Sequence, residues 1–252
     1  MMKEEYKIRE MVENDVLAVV ELVRSSFHGN YLIPSIYRGN GIDKFIINEL
    51  NNPFSPYNYT VICKDEQVIG YTEFKLFKED FTAFLNIVAI CNEFKGKGLG
   101  RNIFDYCRSN FFQQGYQNIE LDVYATNVIA LKWYLNYGFI KTNLKSFLKL
   151  EVKSEKINDS EILINNYSQY ISAKNTFGFY FIDVILRDTP YRLGIINNDL
   201  FIRGRFYIDL FPHINTIKTR LALKNIYFLG VEKQFDNFIE IDQIIRMKLK
   251  LK

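Results

Sequence analysis

Cysteine is scarce in this chain. Cys63, Cys91 and Cys107 are an odd number with no CxxC spacing. That excludes a disulfide framework and a thiolate zinc site, and it points to a reducing compartment. Histidine is scarcer still: His28 and His213 stand far apart in sequence, so no metal is expected. A dominant charge is missing too. Lys and Arg total 32 against 29 Asp and Glu, a net charge of +3, which is weak footing for a nucleic-acid partner. No apolar run approaches the ~20 residues that span a bilayer. Residues 1–10 are charged and carry no apolar signal core. The expectation is a cytoplasmic protein with no membrane partner.

Hydrophobic residues make up 48% of 252 positions, enough for a substantial core. The 22 Phe and 17 Tyr favour strands and large packed surfaces. Short strands are expected at residues 4–9, 59–64, 67–77, 81–90 and 118–124. Asp65-Glu66 is the turn of a hairpin. Val16, Val19, Val20 and Val23 fall at helical spacing, with Asn14 or Asp15 as the N-cap. Further helices are expected around residues 45–50, 99–112 and 127–137, and one or two strands within 139–152. The polar stretch 153–160 reads as a linker. Residues 161–252 then form a smaller C-terminal domain, α+β or mainly β. Ala130-Leu131-Lys132 with Gly138 and Lys141 is echoed by Ala222-Leu223-Lys224 with Gly230 and Lys233 at the same spacing. The echo hints that the C-terminal domain is a decayed partial repeat of the first.

The segment Lys95-Gly96-Lys97-Gly98-Leu99-Gly100-Arg101 lies between an expected strand and an expected helix. Glycines in such a turn let backbone N–H groups face an anion, and the helix N-terminus adds partial positive charge. A P-loop requires Lys-Ser/Thr after its last glycine, whereas Arg101 and Asn102 follow Gly100. A dinucleotide fold requires GxGxxG early in a βαβ unit; here the spacing differs and several elements come first.

These residues instead resemble the acyl-CoA signature of the GNAT family of N-acetyltransferases, Gln/Arg-x-x-Gly-x-Gly/Ala entered from a strand. Lys95 stands where Gln or Arg is usual. After the next strand, Asn127, Ala130, Tyr134 and Gly138-Phe139 resemble the family's second signature. The resemblance covers residues 4–152. It implies a GNAT fold, a mixed and mostly antiparallel sheet flanked by helices, and acetyl-CoA as co-substrate. It implies that Lys95, Gly96, Lys97, Gly98, Leu99, Gly100 and Arg101 hold the pyrophosphate. Backbone groups of Val88 and Ile90 would pair with the pantetheine arm, which Asn127 also contacts. Tyr134 would protonate the departing thiolate. The same residues also fit plainer roles: a solvated turn, a buried strand, a core tyrosine and a helix cap.

An amine acceptor must lose a proton, so a carboxylate is expected nearby. Glu73 is placed ahead of Asp122 as that base. The strand before the turn offers only Phe84, Leu85 and Asn86 where some family members place a Glu. The acceptor groove is expected along residues 28–59, with Tyr31, Tyr37, Asn40, Tyr57, Asn58 and Tyr59 in its walls. Polar aromatic walls suit a small-molecule amine. An amino sugar leads, because residues 177–183 faintly resemble a segment of amino-sugar acetyltransferases. The alternatives are a peptide N-acetyltransferase and a non-catalytic acyl-CoA-binding regulatory module. A homodimer is a further expectation.

Overall fold

The computed structural model describes residues 5–27, 29–151, 162–204, 210–231 and 237–252. His28 and the expected linker at 153–160 lie outside the described residues. Strand β1 (Tyr6–Glu10) is followed by helices α1 (Val16–Ser26) and α2 (Ile42–Leu50), then by β2 (Tyr57–Lys64), β3 (Gln67–Phe77) and β4 (Thr82–Ile90). Helix α3 (Leu99–Gln113), β5 (Asn118–Tyr124), α4 (Val128–Tyr137) and β6 (Ile140–Leu150) complete the first half. The second half contains β7 (Ile162–Ile164), α5 (Tyr167–Phe177), β8 (Phe179–Leu186), β9 (Thr189–Ile196), β10 (Asp199–Gly204), α6 (Ile214–Arg220), β11 (Asn225–Gly230) and β12 (Phe238–Lys250).

Local chemistry accounts for the elements. The β2–β3 hairpin turns on Asp65 and Glu66, both left-handed at φ 47° and 63°, as a tight two-residue hairpin demands. Val16, Val19, Val20 and Val23 bury one face of α1. Asp15 precedes that helix but does not cap it. Its carboxylate accepts from the Val12 N–H at 2.9 Å and from Arg9 at 2.6 and 2.9 Å, a bidentate pairing that engages both oxygens.

All twelve strands form one sheet, ordered β1-β2-β3-β4-β5-β12-β6-β11-β10-β9-β8-β7. The order is a palindrome of the two halves with their last strands exchanged. In each half four strands run antiparallel, the fourth pairs parallel with the fifth, and the fifth pairs antiparallel with the other half's last strand. β6 and β12 pair with each other at the centre. The sheet therefore runs across the boundary expected at 153–160, since β12 is seated between β5 and β6. The helices flank this mostly antiparallel sheet, as the resemblance implied.

The short sequence echo does not follow this symmetry. Ala130 to Lys132 lie in α4, whereas Ala222 to Lys224 form the turn after α6 and Gly230 ends β11. A five-residue match carries too little side-chain pattern to fix a register.

Aromatic packing joins the halves. Phe147 of β6 is fully buried against Tyr124 of β5 and Tyr227 of β11, at ring distances of 6.2 and 5.8 Å. Phe147→Ala is expected to cost about 3–5 kcal/mol and to lower one unfolding transition shared by both halves. Trp133, the sole tryptophan, reports on the first half by fluorescence and far-UV circular dichroism reports on the whole. The two melting curves are expected to coincide before and after the substitution.

Candidate active site

The site forms where β4 and β5 part. They pair only over Thr82–Leu85 and Asn118–Leu121. On the other edge of β4, Ile87 faces Glu73 and Leu85 faces Phe74, so Asn86 is an unpaired bulge residue. A bulge bends its strand, and the bend coincides with the loss of pairing to β5. The Cys91 N–H donates to the Ile69 carbonyl of β3 at 2.8 Å. By alternation, Val88 and Ile90 turn their backbone groups to the opposite edge, where β5 has withdrawn. A cavity of about 480 Å³ opens there, a size typical of small-ligand sites.

The glycine turn follows the open end of β4. Gly96 and Gly98 are left-handed at φ +79° and +80°, and a Cβ at either would meet nothing within 4 Å. Glycine is needed there for backbone conformation, not for space. Among the described residues, the N–H groups of Gly96, Gly98, Leu99 and Gly100 have no intramolecular acceptor. They stand at the N-terminus of α3, with exposed Lys95, Lys97 and Arg101 around them. Arg101 lies 3.7 Å from Asp105 and covers the Tyr137 ring, and Lys97 covers Phe94. The Leu99 side chain is buried against Ile62, Ile69 and Ile103, so it faces the turn through backbone alone. A row of unpaired N–H groups, a helix N-terminus and three cations can hold a polyanion.

Glu73 is at the cavity wall yet only 4% exposed. Tyr37 and Tyr71 donate to its Oε2 at 2.7 and 3.1 Å, and Asn86 donates to its Oε1 at 2.8 Å. Burial lifts its pKa above the usual carboxylate range, and the three donors oppose that lift. Tyr134 lines the same cavity. Its hydroxyl has no hydrogen-bond partner among the described residues, and burial pushes its pKa upward. Asn127 caps α4 by accepting from the Ala130 N–H at 3.2 Å, and it too lines the cavity. Asp122 is occupied: Arg246 donates to it at 2.6 and 3.0 Å and Lys145 at 3.1 Å.

Of the expected groove residues, Tyr31, Tyr37 and Tyr57 line the cavity, whereas Asn40, Asn58 and Tyr59 do not. Tyr59 is buried among Val16, Val61 and Tyr71. The Gly178 segment is structural. Gly178 closes α5, Phe177 and Phe179 pack on Phe45, and Asp183 lies near Arg192. Lys75, Asn86 and Arg203 also line the cavity. A break in the alternation of β4 is the sequence signal for Asn86. Nothing local signals Arg203, which arrives from β10.

The acetyltransferase (GNAT) family model matches residues 17–139. The first half of the chain is a GNAT-family domain. As a GNAT protein it is an acetyl-CoA-dependent N-acetyltransferase, with acetyl-CoA as the thioester co-substrate. The GNAT fold recurs in solved structures of low identity. A tandem GNAT protein from the clavulanic acid biosynthesis pathway is 10% identical, with TM-score 0.68 over 98% of this chain and 99% of that one. A GCN5-related N-acetyltransferase from Sphaerobacter thermophilus is 8% identical, with TM-score 0.65 over 100% and 98%. The PaiA N-acetyltransferase from Thermoplasma acidophilum, in complex with coenzyme A, is 20% identical, with TM-score 0.50 over 55% and 92%. No curated protein sequence matches the chain. Among the described residues no group of three or more His, Cys, Asp or Glu is arranged to hold a metal ion, and no helix is long and apolar enough to cross a membrane.

The glycine turn and the open edge of β4 fit the GNAT co-substrate. Gly98→Asp puts a Cβ on a left-handed backbone and a carboxylate beside the N–H row. It is expected to abolish the thermal shift given by acetyl-CoA, checked by thermal unfolding with and without acetyl-CoA.

Proposed function

We propose that this protein transfers acetyl from acetyl-CoA directly to the primary amine of a small molecule, with an amino sugar or comparable polar amine as the acceptor class. The observation that carries this reading is the placement of Glu73 and Tyr134 on one cavity at the open edge of β4. Backbone groups of Val88 and Ile90 and the Asn127 amide pair with the pantetheine arm. The N–H row from Gly96 to Gly100, with Lys95, Lys97 and Arg101, holds the pyrophosphate. The amine nitrogen attacks the thioester carbonyl, and its proton passes to Glu73. The C–S bond breaks, and the thiolate takes the Tyr134 proton. Burial keeps Tyr134 protonated at the start, and it makes the ionised Glu73 a stronger base than an exposed carboxylate.

The same reading gives the second half a supporting role as a decayed GNAT repeat. Its β10 and β11 stay paired over all six residues, Asp199–Gly204 against Asn225–Gly230. That leaves no open edge for a pantetheine arm. Instead the second half fastens the loop after α1 that walls the acceptor cavity. Arg38 bonds Asp199 at 2.8 Å, Arg203 donates to the Pro34 carbonyl at 2.8 Å, and Asn197 donates to the Arg38 carbonyl at 3.0 Å. A wall secured at three points supports a small acceptor over an extended peptide.

Tyr134→Phe is expected to lower kcat about 10²–10⁴-fold while acetyl-CoA binding persists. Thiol release with an amine panel measures the first and isothermal titration the second. An unchanged kcat would make Tyr134 a packing residue. The titration is expected to give one coenzyme A per chain.

The acidic limb of kcat/KM is expected to lie above the ordinary glutamate range and to vanish in Glu73→Gln. The sign for stability follows from the raised pKa. The contribution of protonated Glu73 is full below the ordinary glutamate pKa and is lost as pH rises through the raised one. Melting temperatures of wild type and Glu73→Gln across that window are expected to diverge, with the variant gaining as pH rises.

A further inference from the structure

The charges of the acceptor cavity do not balance. Four charged side chains line it: Glu73, Lys75, Asp122 and Arg203. Asp122 is neutralised by Arg246 and Lys145. Glu73 already accepts from Tyr37, Tyr71 and Asn86, and burial raises its pKa against the pull of those donors. The Lys75 ammonium faces the Tyr57 and Phe77 rings at 5.7 and 5.5 Å and meets no carboxylate among the described residues. Arg203 spends one N–H on the Pro34 carbonyl and stacks over Phe201. It likewise has no carboxylate partner among the described residues, and its guanidinium keeps donors for a ligand. Two cations therefore stand at a cavity whose free acid is partly suppressed.

We infer that the acceptor is an amine that also carries an anionic group, a carboxylate or a phosphate, and that Arg203 of the second half binds that group while the amine faces Glu73. The inference rests on the reading of this cavity as the acceptor site. A purely cationic polyamine meets like charge at Arg203 and Lys75. An amino acid or a phosphorylated amino sugar has the complementary pair of charges. Guanidinium suits either anion, because its planar fork matches both in bidentate fashion. Arg203 is then a specificity residue supplied by the half that has no open edge of its own.

The test uses the whole chain saturated with coenzyme A and matched ligand pairs, read by thermal-shift titration. α-Amino acids are compared with their carboxamides, and hexosamine 6-phosphates with free hexosamines. The two arms separate carboxylate from phosphate. In at least one arm the anionic member is expected to bind about 10- to 100-fold more tightly. Arg203→Met is expected to erase that difference, and Arg203→Lys to keep part of it. Equal affinity within every pair, no shift from any ligand, or a preference that survives Arg203→Met would overturn the inference. Thiol release from acetyl-CoA with the same amines is scored separately. Arg203-dependent anion binding without thiol release would sink the transfer reading and leave the anion site standing. Thiol release with no preference within the pairs would do the reverse.

Discussion

The exchange of β6 and β12 at the middle of the sheet is the constraint on which the rest of the molecule depends. β5 parts from β4 after four residue pairs, so its other edge must be held if the gap is to keep its shape. β12 supplies that hold over seven residues, Ile244–Lys250 against Asn118–Tyr124. The ladder is reinforced on one face by Arg246, which reaches both Glu120 and Asp122. Met247 and Leu249 close the core beneath α3 and α4 on the other. The open edge of β4 is thus stable because its neighbour is anchored by the far end of the chain.

Division of labour between the halves follows from the same arrangement. The first half keeps a bulge, an open edge and a glycine turn. The second keeps the sheet order but has its parallel pair closed throughout. Between them lies the loop after α1. It is tied to the second half by Arg38, Pro34 and Asn197 contacts, and to the β5–α4 turn through Tyr31, Thr126 and the buried Asp242. The tyrosine and asparagine donors around Glu73 complete a site whose rigidity comes from hydrogen bonds as much as from packing.

Much of the first half was legible from local pattern. The expected strands 67–77 and 118–124 coincide with β3 and β5, since β5 alternates cleanly and β3 is set off by the Asp65-Glu66 turn. The position of Glu73 beside the cavity follows from its neighbourhood in the strand order, and the glycine turn at the head of α3 from the motif. The long-range features were not legible. No local signal tells β12 to lie between β5 and β6, because the pairing is decided by which edge remains unpaired after the other strands have formed. Arg203 was missed for the same reason. Asn58 and Tyr59 were misplaced because a run of polar aromatics does not say how deep each one sits. Tyr57 reaches the cavity, while Tyr59, two residues on, lies under α1.

The late position of β12 in the chain also sets a timetable. During synthesis β5 is made on the order of 100 residues before the strand that covers it. At typical elongation rates of about 5–20 residues per second that interval is roughly 5–25 s. Throughout it the nascent first half has an uncovered strand edge that can pair with other nascent chains. Assembly of the cavity therefore waits on the order in which the ribosome releases the chain, and the first half made is not closed until β12 arrives.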